Sequence, residues 1–319
     1  MLLPRSRRIA GGMRAVALTV FAGTLGACGA TDQLDPDAGS PPPQTPEMVS
    51  ANAVAPGVVF ASFDLDPSAI GTVHTGTVRP TTPSSVILYL NSVRAKKGRV
   101  LLKLHGDNAV RNSDKSFNLD KWKTEVGRFK NVNITSYIAD GTIVGHFLLD
   151  EPHFPSRWGN KTIPQATVEA MATYSKQLWP NMPTIVNAPP SWLDDQPVTY
   201  TNLDAGWAMF MGKSGTAVTK YATNQANAAK KKGLGLIAGL NVLDGGDGSS
   251  GFPGNYPNKF AMSAAELRSY GAALLAQIRV CGFVMWKFKS SYYDRADIKS
   301  AMTEISAKAR SHAATSCKQ

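Results

Sequence analysis

Apolar runs of strand length alternate with segments of helical spacing along most of the chain. The clearest run is 143–149, which is nearly continuous in apolar residues, as in a strand buried on both faces of a parallel sheet. It ends abruptly at Asp150, Glu151 and Pro152. The same pattern predicts further strands at 58–63, 99–104, 184–186, 205–210, 234–240 and 280–286. An eighth strand is expected within 131–140.

Segments with apolar residues at helical spacing separate these strands. They predict helices over 82–97, 119–130, 164–179, 216–232, 263–277 and 295–312. Two of them begin at possible capping boxes, formed by Thr162 with Gln165 and by Ser263 with Glu266. Strands that alternate with helices predict a parallel sheet with right-handed crossovers.

Polar residues follow nearly every predicted strand. An open doubly wound sheet, which is the alternative fold, gathers its ligand groups at one switch point instead. We therefore predict a single-domain (β/α)8 barrel over 56–319. The segment 246–251 matches G-x-G-x-x-G but leads to Phe252 and Pro253 instead of a helix, which favours a loop beside the site over a nucleotide-binding turn.

The N-terminal segment has the layout of a secretory signal. Arginines at 5, 7, 8 and 14 precede the apolar stretch 15–27, which is too short to span a bilayer. Residues 25–28, Leu-Gly-Ala-Cys, resemble the lipobox of bacterial lipoproteins. That resemblance implies a signal peptide over 1–27, lipidation of Cys28, and a domain held at the bacterial cell envelope, periplasmic or extracellular. The alternative is an ordinary signal peptide with an incidental cysteine.

Residues 28–55 have the composition of a disordered tether. Between 29 and 55 they include Asp32, Asp35, Asp37 and Glu47, no Lys or Arg, and three consecutive prolines. The whole chain carries a net charge of +11. The four acids here cancel the four arginines before them, so the domain carries the same charge. A basic domain favours anionic partners such as acidic glycans or lipid head groups, although several of its lysines precede a glycine, where they complement helix C-termini.

Two cysteines remain in a compartment that permits disulfides. Cys281 lies at the start of the last predicted strand and Cys317 follows the last predicted helix. In a βα barrel both positions lie at the same face, so we predict a Cys281–Cys317 disulfide. The alternative is two free thiols.

Candidate chemistry comes from the strand ends, since barrel enzymes place catalytic groups there. An ordinary turn is the alternative reading of Asp150–Glu151–Pro152 by itself. Carboxylates accompanied by tryptophans suit a carbohydrate, and glycoside hydrolysis requires two carboxyl groups, one with a raised pKa. The predicted substrate-binding residues are Asp64, His105, Asp107, Asn187, Trp192, Trp207, Asn241 and Trp286. We predict no cofactor, no nucleic-acid partner and a monomer.

The acidic pair in Leu148–Pro152 and the tryptophan in Met285–Trp286 resemble the TIM-barrel glycoside hydrolase superfamily. The resemblance implies that Glu151 is the general acid/base and that Asp150 stands where many relatives have asparagine. Those enzymes commonly place a glutamate nucleophile near the end of a late strand, where this chain has Asn241 and Asp244. The catalytic candidates are therefore Glu151, Asp244 and Asp150, with an inverting mechanism or lost catalysis as alternatives.

Successive strand residues point to opposite faces, so we expect Asp150 and Glu151 to diverge and a second carboxyl to come from another strand. Asp244 is the first candidate for that carboxyl, followed by Asp64 and Asp107. Two other functions remain open. One is a metal-dependent phosphodiesterase with His105, Asp107, Glu151 and His153 as ligands. The other is a lipoprotein that binds glycans without catalysis.

Overall fold

A computed structural model describes residues 54–212, 217–313 and 315–318 of the chain. The predicted signal peptide, the lipidated Cys28 and nearly all of the tether lie outside these residues. Eight parallel strands pair in sequence order, and the last closes on the first. The predicted (β/α)8 barrel is confirmed. The strands are β1 Val59–Phe63, β2 Gly76–Pro80, β3 Arg99–Lys103, β4 Ile143–Asp150, β5 Thr184–Asn187, β6 Ala205–Phe210, β7 Gly235–Asn241 and β8 Val280–Trp286.

The helices surround the barrel and match the six predicted ones, with three short helices in addition. They are α1 Val86–Ala95, α2 Leu119–Gly127, α3 Thr135–Ala139, α4 Gln165–Leu178, α5 Pro190–Asp194, α6 Val218–Lys231, α7 Ala264–Leu275, α8 Ser290–Tyr293 and α9 Ala296–Ser311. Among the described residues, no helix is both long enough and apolar enough to cross a bilayer.

The predicted location of the eighth strand was wrong. Residues 131–140 contain the short helix α3, and the missing strand is β2, which pairs with β1 and β3. Its sequence gives a weak signal because only its first three residues are buried and it ends in Arg79 and Pro80. A proline argues against a strand interior and is tolerated here at the strand's end.

One of the two predicted capping boxes is present. The Ser263 hydroxyl accepts from the Glu266 backbone NH at 3.4 Å, and the Glu266 carboxylate accepts from the Ser263 NH at 2.8 Å. The prediction of a capping box at Thr162 and Gln165 was wrong. Pro164 precedes α4 as its N-cap residue, and the side chain of Gln165 is buried. The Gln165 amide instead donates to the carbonyl of Trp192 at 3.0 Å.

Large side chains fill the barrel interior. The rings of Phe63 and Trp207 stack with centroids 5.1 Å apart, and Phe147 meets Trp207 edge-on at 5.7 Å. Gly239 on the next strand leaves room for this packing, since a Cβ there would lie 2.6 Å from the Trp207 indole nitrogen. The interior is therefore a packed core, and ligands can reach only the strand ends.

A disulfide joins the last strand to the C-terminal segment. The sulfur atoms of Cys281 and Cys317 are 2.04 Å apart, and both residues are buried at the bottom of the interior core. We call this face, where the strands begin and the helices end, the base, and the opposite face the mouth. The backbone of Cys317 packs so closely on Gly235 that a Cβ there would lie 3.0 Å from the Cys317 carbonyl oxygen. The C-terminal segment thus covers part of the base.

We predict that Cys317→Ser lowers the free energy of unfolding by about 3 to 4 kcal/mol, because the cross-link closes a long loop and restricts the unfolded chain. Urea unfolding of the variant and the parent under oxidising conditions measures the difference. Adding a reductant should bring the parent to the variant's stability. Equal unfolding midpoints for both proteins, or free thiols at both positions by mass spectrometry, would contradict the prediction.

Candidate active site

Four strand ends form a small cavity at the mouth. Asp150 ends β4, Asn187 ends β5, Asn241 ends β7 and Trp286 ends β8. Together with Glu151, Arg157, Met209 and Tyr256, they line a cavity of about 140 Å³. Five of the residues predicted to bind substrate or act in catalysis therefore line one cavity, namely Asp150, Glu151, Asn187, Asn241 and Trp286.

Asp150 and Glu151 both line this cavity, contrary to the expectation that they diverge. Glu151 has a φ of 50°, so the chain leaves the extended conformation at this residue. Its backbone NH still donates to the carbonyl of Asn187 at 3.0 Å, which keeps the turn attached to β5. Side-chain alternation holds only within a strand. The positive φ therefore lets two consecutive carboxylates face the same space.

One guanidinium joins three carboxylates at the cavity. Arg157, in a short 3-10 turn at Pro155–Arg157, donates to Asp107 at 2.7 Å, to Glu151 at 3.0 Å and also to Asp150. Lys103 adds a second cation through its 2.8 Å contact with Asp107. Asp107, predicted to bind substrate, thus reaches the site through Arg157.

The two cavity carboxylates and Asp107 differ in their electrostatic surroundings. Burial raises the pKa of Glu151 to about 7, helped by the negative charge of Asp150, and Arg157 offsets only part of this effect. Burial also acts to raise the pKa of Asp107, but Lys103 and Arg157 outweigh it and lower that pKa. Glu151 can therefore carry a proton near neutral pH, whereas Asp107 is held in its ionised form.

Neighbouring side chains hold the acidic pair in place. The Asn187 amide donates to Asp150 at 2.6 Å, and the Trp158 indole NH donates to the carbonyl of Glu151 at 3.1 Å. Trp158 is itself fully buried. These contacts fix both the carboxylate and the backbone, which is what a group acting at a defined position requires.

An aromatic pair forms one side of the cavity. The rings of Trp286 and Tyr256 are nearly parallel, 5° apart in plane, with centroids separated by 6.2 Å. Tyr256 belongs to the glycine-rich loop between β7 and α7. The sequence predicted a loop at 246–251 and assigned Asp244 of this segment to the site, but not Tyr256. Tyr256 is 59% exposed. No periodic signal marks such a residue, since its position depends on how the loop folds.

Asp244 fixes this loop and is not among the residues that line the cavity. Its carboxylate is 2% exposed and accepts from the backbone NH groups of Asn255 at 2.7 Å and Tyr256 at 3.0 Å. Its own NH donates to the Asn241 side chain at 3.1 Å. Gly254 is packed so closely that a Cβ would lie 2.7 Å from the Asp244 carboxylate. The structure thus gives Asp244 a positioning contact, away from the place predicted for a second catalytic carboxyl.

Two residues predicted to bind substrate are buried away from the cavity. Trp207 is fully buried because it lies in the middle of β6 and points into the barrel. His105 is 3% exposed, donates from Nε2 to the carbonyl of Leu148 at 2.8 Å and packs against Trp122. Burial lowers the pKa of His105. The prediction for both residues is corrected: they are core residues.

The remaining candidates lie outside the cavity lining. Asp64 is exposed and 3.6 Å from Lys287, and Trp192 is half-buried, packing 6.0 Å from His153. His153 also packs 4.1 Å from Phe154, and burial lowers its pKa to about 4. The four proposed metal ligands do not converge, and the described residues contain no group of three or more His, Cys, Asp or Glu that could hold a metal ion.

No protein-family model matches this chain, and neither does any curated protein sequence. Solved structures with a similar fold include a cellulase in complex with an inhibitor, which is 10% identical, with a TM-score of 0.50 over 75% of this chain and 83% of that one. At this level of identity the likeness concerns the fold alone. The barrel fold that the resemblance implied is confirmed.

Two further structures are similar at TM-scores of 0.48. The catalytic domain of the major endoglucanase from Xanthomonas campestris pv. campestris is 11% identical, covering 81% of this chain and 95% of that one. A Pyrococcus horikoshii endocellulase in complex with cellotetraose is 11% identical, covering 80% and 92%.

We predict that Asp244→Ala releases the loop that carries Tyr256. Two hydrogen bonds from backbone NH groups to a carboxylate would be lost, so cleavage by trypsin after the exposed Lys259 should accelerate about 10- to 100-fold. Timed digestion followed by mass spectrometry measures the rate. Asp244→Asn keeps one acceptor oxygen and should lie close to the parent. Asp114→Ala, which removes a different carboxylate at the mouth, should leave this cleavage unchanged. Equal rates for all four proteins would show that Asp244 does not restrain the loop.

Proposed function

We propose that this protein hydrolyses glycosidic bonds, with Glu151 as the general acid. The observation that carries the proposal is the raised pKa of Glu151, about 7, in a cavity at the barrel mouth that also contains Asp150 and Trp286. A carboxyl group that is protonated near neutral pH can donate its proton to the departing glycosidic oxygen. The flat face of Trp286 suits the C–H face of a sugar ring.

Asp150 has a supporting role in this proposal. It accepts from Asn187 and Arg157, and its charge is one of the causes that raise the pKa of Glu151. Both carboxylates bind the two terminal nitrogens of the same guanidinium, so they do not flank a sugar from opposite sides. The proposal therefore assigns proton donation to Glu151 and no nucleophilic step to a protein residue. As the glycosidic C–O bond breaks, a water molecule from solvent bonds to the anomeric carbon and releases one proton to solvent, and the Glu151 carboxylate takes up a proton again before the next turnover.

The cavity favours a neutral sugar, although the domain as a whole is basic. Arg157 is the one cationic side chain that lines it among the described residues, and three carboxylates already surround that guanidinium. An acidic sugar would meet Asp150 and Glu151 without a free positive partner, and uncompensated like charges are costly to bring together. We propose a poly- or oligosaccharide with neutral rings at this position.

A non-catalytic glycan-binding protein is the second candidate. The cavity-lining carboxylates among the described residues are adjacent in sequence, whereas glycosidases typically place two carboxyl groups on either side of the scissile bond. The aromatic pair Trp286 and Tyr256 would serve binding equally well. Turnover by the parent protein separates the two functions.

We predict that Glu151→Gln lowers turnover about 10²- to 10⁴-fold on substrates with poor leaving groups, because the amide keeps the shape of the side chain but cannot give a proton. Phenyl glycosides of neutral hexoses and their dinitrophenyl counterparts, assayed with the parent and the variant, measure this effect. The dinitrophenyl substrates should lose much less, since their departure requires little protonation. Wild-type rates of Glu151→Gln on phenyl glycosides would refute the role of Glu151.

Matched variants and the pH profile sharpen this test. Glu151 donates only when protonated, so turnover should fall as pH rises through about 7. Asp150→Asn removes a negative charge that raises the Glu151 pKa, so it should retain turnover and shift this fall to lower pH. Asp244→Asn should retain turnover too, whereas a nucleophilic Asp244 would require its complete loss on both kinds of substrate.

We also propose that the domain is anchored in the bacterial cell envelope through a lipid on Cys28. The support is the sequence of 25–28 after a short apolar stretch, and the four acids without bases that follow it.

We predict that Cys28→Ser abolishes incorporation of a labelled fatty acid into the protein, since the acylated thiol is gone. Metabolic labelling of the producing bacterium followed by immunoprecipitation measures it, and Cys317→Ser serves as the matched cysteine control that should keep its label. Undiminished label on Cys28→Ser would contradict the proposed anchor.

A further inference from the structure

Exposed lysines collect at the base of the barrel. Lys96 and Lys97 directly follow α1, Lys130 follows α2, and Lys230 lies in the last turn of α6. All four are exposed, and none takes part in an ion pair among the described residues. Helices of a βα barrel end at the face where the strands begin. The four ammonium groups therefore belong to one face.

An exposed apolar residue accompanies these lysines. Ile278 lies between α7 and β8, which places it at the base, and it is 86% exposed. The Thr315 hydroxyl donates to its carbonyl at 3.4 Å. Transfer of a large, exposed aliphatic side chain from water into an apolar phase is favourable. Cations around an aliphatic group are the combination that interfacial membrane binding uses.

The described part of the chain also begins at this face. The Ala55 NH donates to the carbonyl of Lys97 at 3.1 Å, and the Val58 NH donates to the carbonyl of Ala309, near the end of α9, at 3.0 Å. The first described residues therefore pack at the base, beside Lys97 and the end of α9.

At the mouth, carboxylates and cations are mixed, with Lys103, Arg157 and Lys287 in ion pairs there. Asp64, Asp107, Asp150, Glu151 and Asp244 all follow strand ends there, and of these only Asp107, Asp150 and Glu151 share Arg157. The four lysines of the base, in contrast, have no carboxylate in an ion pair with them among the described residues. An anionic bilayer attracts such unpaired ammonium groups.

We propose that the base of the barrel docks on a bilayer of anionic phospholipids through Lys96, Lys97, Lys130 and Lys230, with Ile278 entering the head-group region. The proposal goes beyond the glycosidase function and does not depend on it. It supplies a second contact beside the proposed lipid on Cys28, and stable membrane attachment commonly uses two such signals. Lysines at helix C-termini also complement helix dipoles, so the test must separate a docking surface from this common placement.

The test uses residues 49–319, which form one compact unit containing the whole barrel and lack both the apolar stretch 15–27 and Cys28. Co-sedimentation measures binding to phosphatidylcholine vesicles with and without 30 mol% phosphatidylglycerol. We expect binding only to the anionic vesicles and weaker binding at higher salt. Lys96→Gln with Lys97→Gln should weaken it about 25-fold, which corresponds to about 1 kcal/mol for each lysine.

Two matched controls separate the base from net charge and from general stickiness. Lys115→Gln with Lys259→Gln removes the same charge from loops at the mouth and should leave vesicle binding unchanged. Ile278→Ser should weaken binding, whereas Leu88→Ser, at a 75% exposed position of α1, should not. An equal loss from the mouth variant would overturn the proposal, and so would failure to bind anionic vesicles. If a synthetic peptide of residues 29–53 displaces the protein from vesicles, the base binds the acidic segment of the chain instead of a bilayer. If the protein dimerises through the base, the base binds a second copy instead. Either result would overturn the proposal.

Discussion

The candidate site depends on the binding of three carboxylates to one guanidinium. Asp107, Asp150 and Glu151 come from two different strand ends, and without Arg157 their mutual repulsion would oppose the fold of the mouth. The compensation is incomplete at Glu151, where burial and Asp150 together outweigh Arg157 and raise the pKa. A full ion pair would have kept this group ionised. Because Arg157 offsets only part of the rise in the Glu151 pKa, Glu151 can act as a proton donor. Asp107 and Asp150 are held beside it by the same guanidinium.

The interior packing explains why the chemistry is confined to the mouth. Phe63, Phe147 and Trp207 pack against one another in the centre of the barrel, between the site and the base. Five of the eight residues that line the cavity stand at, or one position beyond, the last residue of their strands, and they are Asp150, Glu151, Asn187, Asn241 and Trp286. Trp207 lies three positions before the end of β6 and is buried in the core, so it cannot contact a sugar at the mouth, although a tryptophan is chemically suited to do so.

This distinction marks how far the sequence alone could predict the molecule. Seven strands and six helices follow from hydrophobic periodicity. The closed barrel was predicted from the polar residues after the strands, which also marked Asp150, Asn187 and Asn241, while Trp286 was marked by its place at the end of the last strand and by the family resemblance. Strand β2 was missed because its short apolar portion is indistinguishable from a loop. Glu151 was expected to face away, because periodicity describes a strand and says nothing of a positive φ one residue past its end. Tyr256 and the loop contact of Asp244 depend on long-range folding of a glycine-rich segment, for which local sequence has no signal.

The positions of the first described residues and of Cys317 have a practical consequence for how this barrel can be attached to a partner or a surface. The first described residues pack beside Lys97, and Cys317 near the other end is held under the barrel by Cys281. Residues 55–58 and Cys317 therefore lie on the side away from the cavity, separated from it by roughly the length of α9, about 24 Å for its 16 residues. A barrel shortened to begin at residue 54 could carry a fusion partner, a solid support or an affinity handle before that residue and leave the approach of a long polymer to the cavity open. A barrel that began on the other side would need an internal insertion to achieve the same geometry.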